Sequence, residues 1–313
     1  MPDPFDVAPA HFWHNRFSPS SSAGYPFDFF GSVLPIPCHS HNDYWCRTPL
    51  FAALGSGCVS IEADVWVWNR DLHVGHTQNS LGNNATLQTM YINALVGILE
   101  VMNPSGTSHQ HSGEPMGIFY TDPMQTLTLL VDFKTQGIET WFLLYNQLQP
   151  LRERGWLTYW NGIDRVQRPI TVVASGAADS DILIANQTYR DIFYDAPLDD
   201  LEDESDREAI LGDLQTFKYN PSNSHLASVK FQEAIGPLRH LRLSDAQIQR
   251  LQRQIRNARE RQLIPRYWGT PRWPRGLRDV IWNLLVQEEV GLLNVDDLRA
   301  VRKGQWGLWP QGG

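Results

Sequence analysis

The sequence predicts an α/β protein built as a single (β/α)8 barrel of the TIM type with an irregular N-terminal arm. Three observations carry this reading. Short apolar runs alternate with longer helix-patterned stretches, the rhythm of a parallel sheet with helical crossovers. Eight such runs can be counted. From His39 to Leu298 the chain covers about 260 residues, close to the ~250 of a barrel without large insertions.

The elements follow in order. Residues 1–34 are rich in Pro, Ser, Gly and aromatics without periodicity and read as an arm or linker, which leaves 35–313 as the domain. Strands are predicted at Leu34–Cys38, Cys58–Val67, Thr128–Phe133, Thr171–Ala174, Asp191–Tyr194, Ala227–Phe231, Leu263–Tyr267 and Gly291–Val295. Gly55 and Gly57 separate a helix from the second strand, Pro169 precedes the fourth, and Pro271 and Pro274 punctuate the exit of the seventh. Ser244 reads as a helix N-cap, followed by Ile248, Leu251, Ile255 and Ala258 on one stripe. Arg250, Arg253, Arg256 and Arg261 fall opposite it and read as a solvated face. The acidic run Asp199, Asp200, Glu202, Asp203, Glu204 reads as a solvated loop and helix start.

Composition narrows the function classes. Hydrophobic residues at 42% and charged residues at 19% suit a globular chain and exclude wholesale disorder. A formal net charge of −8 disfavours a nonspecific grip on nucleic acid, so no nucleic-acid partner is expected. No apolar run reaches the ~18 residues of a membrane helix, and contact with a membrane is expected to be peripheral at most. The N-terminus lacks the basic-then-apolar layout of a signal peptide. Two glycosylation sequons, Asn84-Ala-Thr86 and Asn186-Gln-Thr188, are about what chance supplies. Compartment and oligomeric state are therefore left open. Cys38, Cys46 and Cys58 match no zinc spacing and allow one bridge at most, and reduced thiols are the expectation. The 12 tryptophans read chiefly as large core side chains, with some available to line a groove or a lipid-facing rim.

Reactive groups in a barrel sit at the C-terminal ends of strands. Strand one ends in Cys38-His39-Ser40-His41-Asn42-Asp43-Tyr44, strand two carries Glu62-Ala63-Asp64, Gly75-His76-Thr77 follows closely, and strand three ends in Asp132-Phe133-Lys134. Glu62 and Asp64 are two apart and so share a face. Buried carboxylates are costly unless compensated, and an all-oxygen set favours one hard divalent cation, Mg²⁺ or Ca²⁺, with Asp132 as third ligand. The alternative is a set of salt bridges to Lys134 and an Arg. His41 and His76, expected on neighbouring strands around this floor, suit acid/base catalysis at phosphorus. His39 either acts or orients its neighbour, whereas His73 reads as a surface or helix-facing side chain. Ser175-Gly176, Asp195 and Trp268 should face the mouth, Trp268 as an apolar wall over substrate. His225 and Lys230 are weaker candidates.

The set His41-Asn42, Glu62-x-Asp64, Gly75-His76-Thr77 and Asp132-x-Lys134 resembles the phospholipase-C-like phosphodiesterases, a superfamily that includes glycerophosphodiester phosphodiesterases and sphingomyelinase D. Tyr267-Trp268-Gly-Thr-Pro-x-Trp273-Pro and Gly291-Leu-Leu-Asn294-Val-Asp296 are more similar to the fungal altered-inheritance-of-mitochondria protein 6 group. The resemblance runs from about His39 to Leu298 and implies a barrel of the phospholipase-C-like type. It implies His41 and His76 as acid/base residues, Glu62, Asp64 and Asp132 as metal ligands, and Lys134 on the phosphate side, with Asn42 in the metal or phosphate shell. The implied substrate is a small or lipid phosphodiester, cleaved by hydrolysis or through a cyclic phosphate. Asn42-Asp43 replaces the Arg-Gly of glycerophosphodiesterases, and the disulfide-bearing catalytic loop of the spider-venom sphingomyelinase D enzymes has no counterpart after His76.

Two rival readings remain. An amidohydrolase-type metal hydrolase would use His39 and His41 as its opening His-x-His pair with Asp296 after strand eight, but it wants a histidine where Asp195 stands. An inactive barrel serving as a lipid-headgroup or partner module is the other.

Overall fold

The computed structural model describes residues 31–104, 114–186, 188–202, 217–239 and 241–304. Eleven strands are present among them: β1 (Ile36–Ser40), β2 (Cys58–Trp68), β3 (Asp71–Val74), β4 (Leu127–Phe133), β5 (Tyr159–Trp160), β6 (Arg165–Val166), β7 (Ile170–Gly176), β8 (Ile192–Pro197), β9 (Ser224–Lys230), β10 (Ile264–Trp268) and β11 (Leu293–Val295). Eight of these run parallel in the order β10-β9-β8-β7-β4-β2-β1-β11. A parallel bridge between Arg266 and Leu292 joins β10 to the approach of β11, which nearly closes the barrel. All eight predicted strands are present, with bounds displaced by up to three residues. The arm predicted over 1–34 lies almost wholly outside the described residues.

Period-two alternation decides what each strand buries. In β2, Val59, Ile61, Ala63 and Val65 pack into the hydrophobic core around the barrel, while Ser60, Glu62 and Asp64 take the other face. The register carries that face across the sheet. Ser60 pairs with Thr128, Glu62 with Leu130 and Asp64 with Asp132, and then Asp132 pairs with Ser175. Helices return the chain between strands, among them Asn93–Met102, Ile138–Gln147, Asp245–Glu260 and Arg275–Gln287. Asp245–Glu260 begins at Ser244, the predicted N-cap, which forms a capping box with Gln247.

Three expectations need correction. Cys38 and Cys58 are not reduced: they form a disulfide between β1 and β2, with Cα atoms 4.8 Å apart. Adjacent parallel strands bring the two thiols within bonding range, which their sequence separation does not disclose. Arg261 is not on a solvated face. It lies just past its helix, 1% exposed, donating to the carbonyls of Asn257 and Leu201, with Phe217 against its guanidinium. Its helix neighbours Arg253 and Arg256 are exposed as expected. Of the two places predicted for His73, the surface is excluded: it is buried, edge-on to Trp68, with Nδ1 3.0 Å from the Gly82 carbonyl oxygen. Trp141, Trp156, Trp160 and Trp282 are buried, as the core reading expects, and Trp45 and Trp273 are exposed. Of the acidic run, Asp199 and Asp200 are exposed, and Asp203 and Glu204 lie outside the described residues. No helix among the described residues is long and apolar enough to cross a membrane.

Candidate active site

Glu62, Asp64 and Asp132 form a cluster whose ligand atoms all lie within 4.8 Å of one another. Backbone register causes this. Glu62 and Asp64 occupy one face of β2, and Asp132 sits directly across from Asp64 on β4. The next strand fixes the third carboxylate, since Ser175 donates to Asp132 Oδ1 at 2.9 Å. Gly176, at φ +66°, leaves room beside it; a Cβ there would meet Asp132 Oδ1 at 2.2 Å.

Charges around the cluster are set against each other. Burial pushes the Glu62 carboxyl up, but the hydrogen bond from His39 and the attraction of nearby positive charge, Arg266 among its sources, outweigh it and hold it well below the usual range. Asp64 goes the other way, raised by burial and the Glu62 charge against the opposing pull of Lys134. Lys134 pairs with Asp64 at 3.0 Å and more closely with Asp132. Burial lowers its pKa, yet the two carboxylates raise it further, so it stays protonated. Lys134 alone cannot compensate three carboxylates, and the buried Asp64 Oδ1 has no hydrogen-bond partner. An orphaned oxygen in an all-carboxylate group of this size fits a hard divalent cation.

The loop after β1 bends over this floor. Asn42 adopts a left-handed backbone, φ 50° and ψ 44°, which asparagine tolerates better than most residues. That turn aims its backbone N–H at Glu62 Oε2, 2.9 Å away. Two residues on, Tyr44 Oη reaches Asn42 Oδ1 at 2.6 Å, Asp64 Oδ2 at 2.8 Å and His76 Nδ1 at 3.2 Å. Burial and the Asp64 charge raise the Tyr44 pKa far above its ordinary value, so it remains a neutral donor.

His76 is not on a neighbouring barrel strand, as its sequence position suggests. It follows β3, which folds back on β2 as an antiparallel hairpin. Asn69 and Arg70 form the two-residue turn with positive φ at both positions, the geometry that matches strand twist. The hairpin returns the chain until Gly75 N donates to Asp64 O at 3.1 Å, and His76 Nδ1 then lies 3.3 Å from Asp64 Oδ2. Trp45 packs on the His76 ring at 5.0 Å, and the imidazole is half exposed.

The other two histidines differ in exposure. His39 is fully buried, with Nδ1 2.7 Å from Ser60 Oγ and Nε2 3.5 Å from Glu62 Oε2. Burial and the nearby Arg266 lower its pKa to about 4, which makes it a neutral orienting group. His41 reaches the mouth, with Nδ1 2.7 Å from Asp296 Oδ1 and Nε2 3.8 Å from Glu62 Oε2. Beneath them Arg266 donates to Ser228, Asn294 and Asp195.

The fold thus brings together His39, His41, Asn42, Glu62, Asp64, His76, Asp132 and Lys134. Trp268 lies at the mouth end of β10 against the Lys230 ammonium, with no described contact to this cluster. Asp195 is committed to a buried ion pair with Arg266. His225 is at the opposite end of the barrel. Tyr44 also joins this group; its place two residues after Asn42 is the one signal the sequence offers for it, and none marks Arg272. Asp296, expected only in the rival metal-hydrolase arrangement, instead pairs with His41.

A family model described as the AIM6-like phosphodiesterase domain matches residues 27–195. The chain is 36% identical over 289 residues to an altered inheritance of mitochondria protein 6 homolog of Arthroderma benhamiae, covering 89% of this chain and 86% of that protein. It is 35% identical over 281 residues to altered inheritance of mitochondria protein 6 of Eremothecium gossypii, covering 85% of this chain and 68% of the relative.

Proposed function

Because the chain belongs to the AIM6-like phosphodiesterase domain family, we propose that it is a metal-dependent phosphoric diester hydrolase or lyase acting on a small or lipid phosphodiester. The observation that carries this reading is the carboxylate cluster flanked by two imidazoles, each held at Nδ1 by a carboxylate. Glu62, Asp64 and Asp132 would hold one Mg²⁺ or Ca²⁺, which when bound neutralises charge on the non-bridging phosphate oxygens. Lys134 adds a second positive charge on the same side.

The protein's own groups then handle protons. A hydroxyl of the substrate next to the phosphodiester gives its proton to His41 Nε2 as its oxygen bonds to phosphorus. The bond to the leaving oxygen breaks, and that oxygen takes a proton from His76 Nε2. An internal hydroxyl is favoured over water because oriented groups reach effective molarities of ~10⁵ M or more. The first product is a cyclic phosphate, opened by water in a second step. His39 holds Glu62, and Asn42 and Tyr44 hold the mouth loop.

Phosphorus NMR on a lysophospholipid with a vicinal hydroxyl tests this sequence of steps. A cyclic phosphate signal should precede the monoester. Label from isotopic water in the very first product, with no cyclic species at any time, would make the protein a direct hydrolase. A second reading is favoured by the ion pairs of Lys134 with Asp64 and Asp132, which partly compensate these charges without a cation. That reading is a silent barrel that binds headgroups. It predicts no turnover of any phosphodiester with or without added metal.

A further inference from the structure

We infer that Asp296 is the positioning residue of His41, selecting its tautomer, and that Arg272 tethers Asp296 in place. This rests on the acid/base reading of His41. Asp296 follows β11 and His41 follows β1, neighbouring strands although 255 residues apart in the chain. His41 N–H donates to the Val295 carbonyl at 3.0 Å, so the backbone already sets the two side chains beside each other.

Two groups compete for His41 Nδ1. Asp296 Oδ1, an acceptor only, lies at 2.7 Å. The Asn42 amide nitrogen, a donor, lies at 3.3 Å, with the Asn42 amide oxygen on the Tyr44 side, 2.6 Å from its hydroxyl. These partners demand opposite tautomers. Asp296 requires a hydrogen on Nδ1; Asn42 requires a lone pair there. The carboxylate is nearer and charged, so it prevails, and the lone pair falls on Nε2. Nε2 is the nitrogen on the Glu62 side of the ring, where a proton acceptor is needed. Arg272 donates to the same Asp296 oxygen at 2.9 Å and holds the carboxylate against the ring from the solvent side.

Removing the carboxylate therefore does more than loosen the ring. In Asp296→Ala, Asn42 becomes the partner of Nδ1 and the neutral imidazole turns over to the Nε2–H form. Ring nitrogen NMR of His41 on the neutral imidazole reads this directly, apart from any activity. The wild type and Arg272→Ala should report a protonated Nδ1, and Asp296→Ala a protonated Nε2. Turnover of Asp296→Ala should fall about 10²-fold with KM nearly unchanged, the pattern of a group felt in the transition state. Asp296→Asn, which keeps an oxygen acceptor, should recover part of the loss, and Arg272→Ala should lose less than tenfold. An Asp296→Ala protein that keeps the wild-type tautomer overturns the assignment, whatever its turnover. If the tautomer changes as expected but wild-type protein turns over no phosphodiester, the positioning role stands and the phosphodiesterase reading falls.

Discussion

At the N-terminal end of the barrel, Thr128, His225 and Arg165 form a closed polar chain, while at the C-terminal end three carboxylates crowd together with one buried oxygen unpartnered. Thr128 and Asp132 lie on the same face of β4, separated by Leu130, which is fully buried like its register partners Val173 and Phe193. Below, His225 offers Nε2 to Thr128 Oγ1 at 3.3 Å and Nδ1 to Arg165 at 3.3 Å, so both ring nitrogens are satisfied. Burial and the Arg165 charge lower its pKa to about 3, keeping it neutral. Above, like charges are held close and the imidazoles of His41 and His76 reach solvent. Buried polarity alone does not mark a site in this barrel; surplus like charge with an unmet acceptor does.

The largest expected effect sharpens that contrast. Exhaustive chelation should abolish phosphodiester turnover, and Mg²⁺ or Ca²⁺ should restore it, with no change in the fold by circular dichroism. An apoprotein with full activity would remove the cation from the reaction and leave the upper cluster as ion pairs. Next in size, His41→Ala and His76→Ala should each cost about 10²-fold or more in turnover. His39→Ala should cost less, because His39 touches Glu62 and not the mouth. A dead His39 variant beside a normal His41 variant would exchange their roles.

The smallest effect concerns stability at the lower end. A histidine whose folded pKa is depressed contributes stability that is fully present above its unfolded value of about 6.5 and is lost as pH falls toward about 3. His225→Gln removes that proton-binding difference while keeping polar atoms near Thr128. Its Tm should fall less steeply than that of the wild type between pH 6.5 and 4. Some slope should remain, since buried His39 contributes with the same sign. Asp43 opposes both: burial raises it to about 6, so its contribution is full at low pH and fades as pH rises from about 4 to 6. Parallel Tm profiles for wild type and variant would show that His225 is not neutralised by burial.

Much of this was legible in the sequence for physical reasons. Strands announce themselves through their apolar residues, β4 in a nearly continuous run and β2 by alternation, and Glu62-x-Asp64 is readable because a strand repeats every two residues. Lys134 is readable for the same reason, two residues after Asp132. What escaped depends on geometry that period and spacing do not encode. The Cys38–Cys58 bridge needs two strands side by side, and the placement of His76 needs a hairpin whose turn, Asn69-Arg70, lacks the usual glycine. Arg261 looked solvated because its helix stripe is charged, yet it lies past the helix end, where the chain turns inward. The pairing of Asp296 with His41 joins opposite ends of the domain, and no local pattern marks it.

The hairpin of β2 and β3 also bears on how the protein acquires its shape. Asp64 and His76 are twelve residues apart and are joined through a two-residue turn, so little chain entropy is spent in bringing them together. The meeting of His41 with Asp296 requires the first and last barrel strands to find each other across 255 residues. Contacts of low sequence separation form readily, and those of high separation wait on the closure of long loops. One histidine can thus be seated while the chain is still largely open, and the other only when the final strand docks.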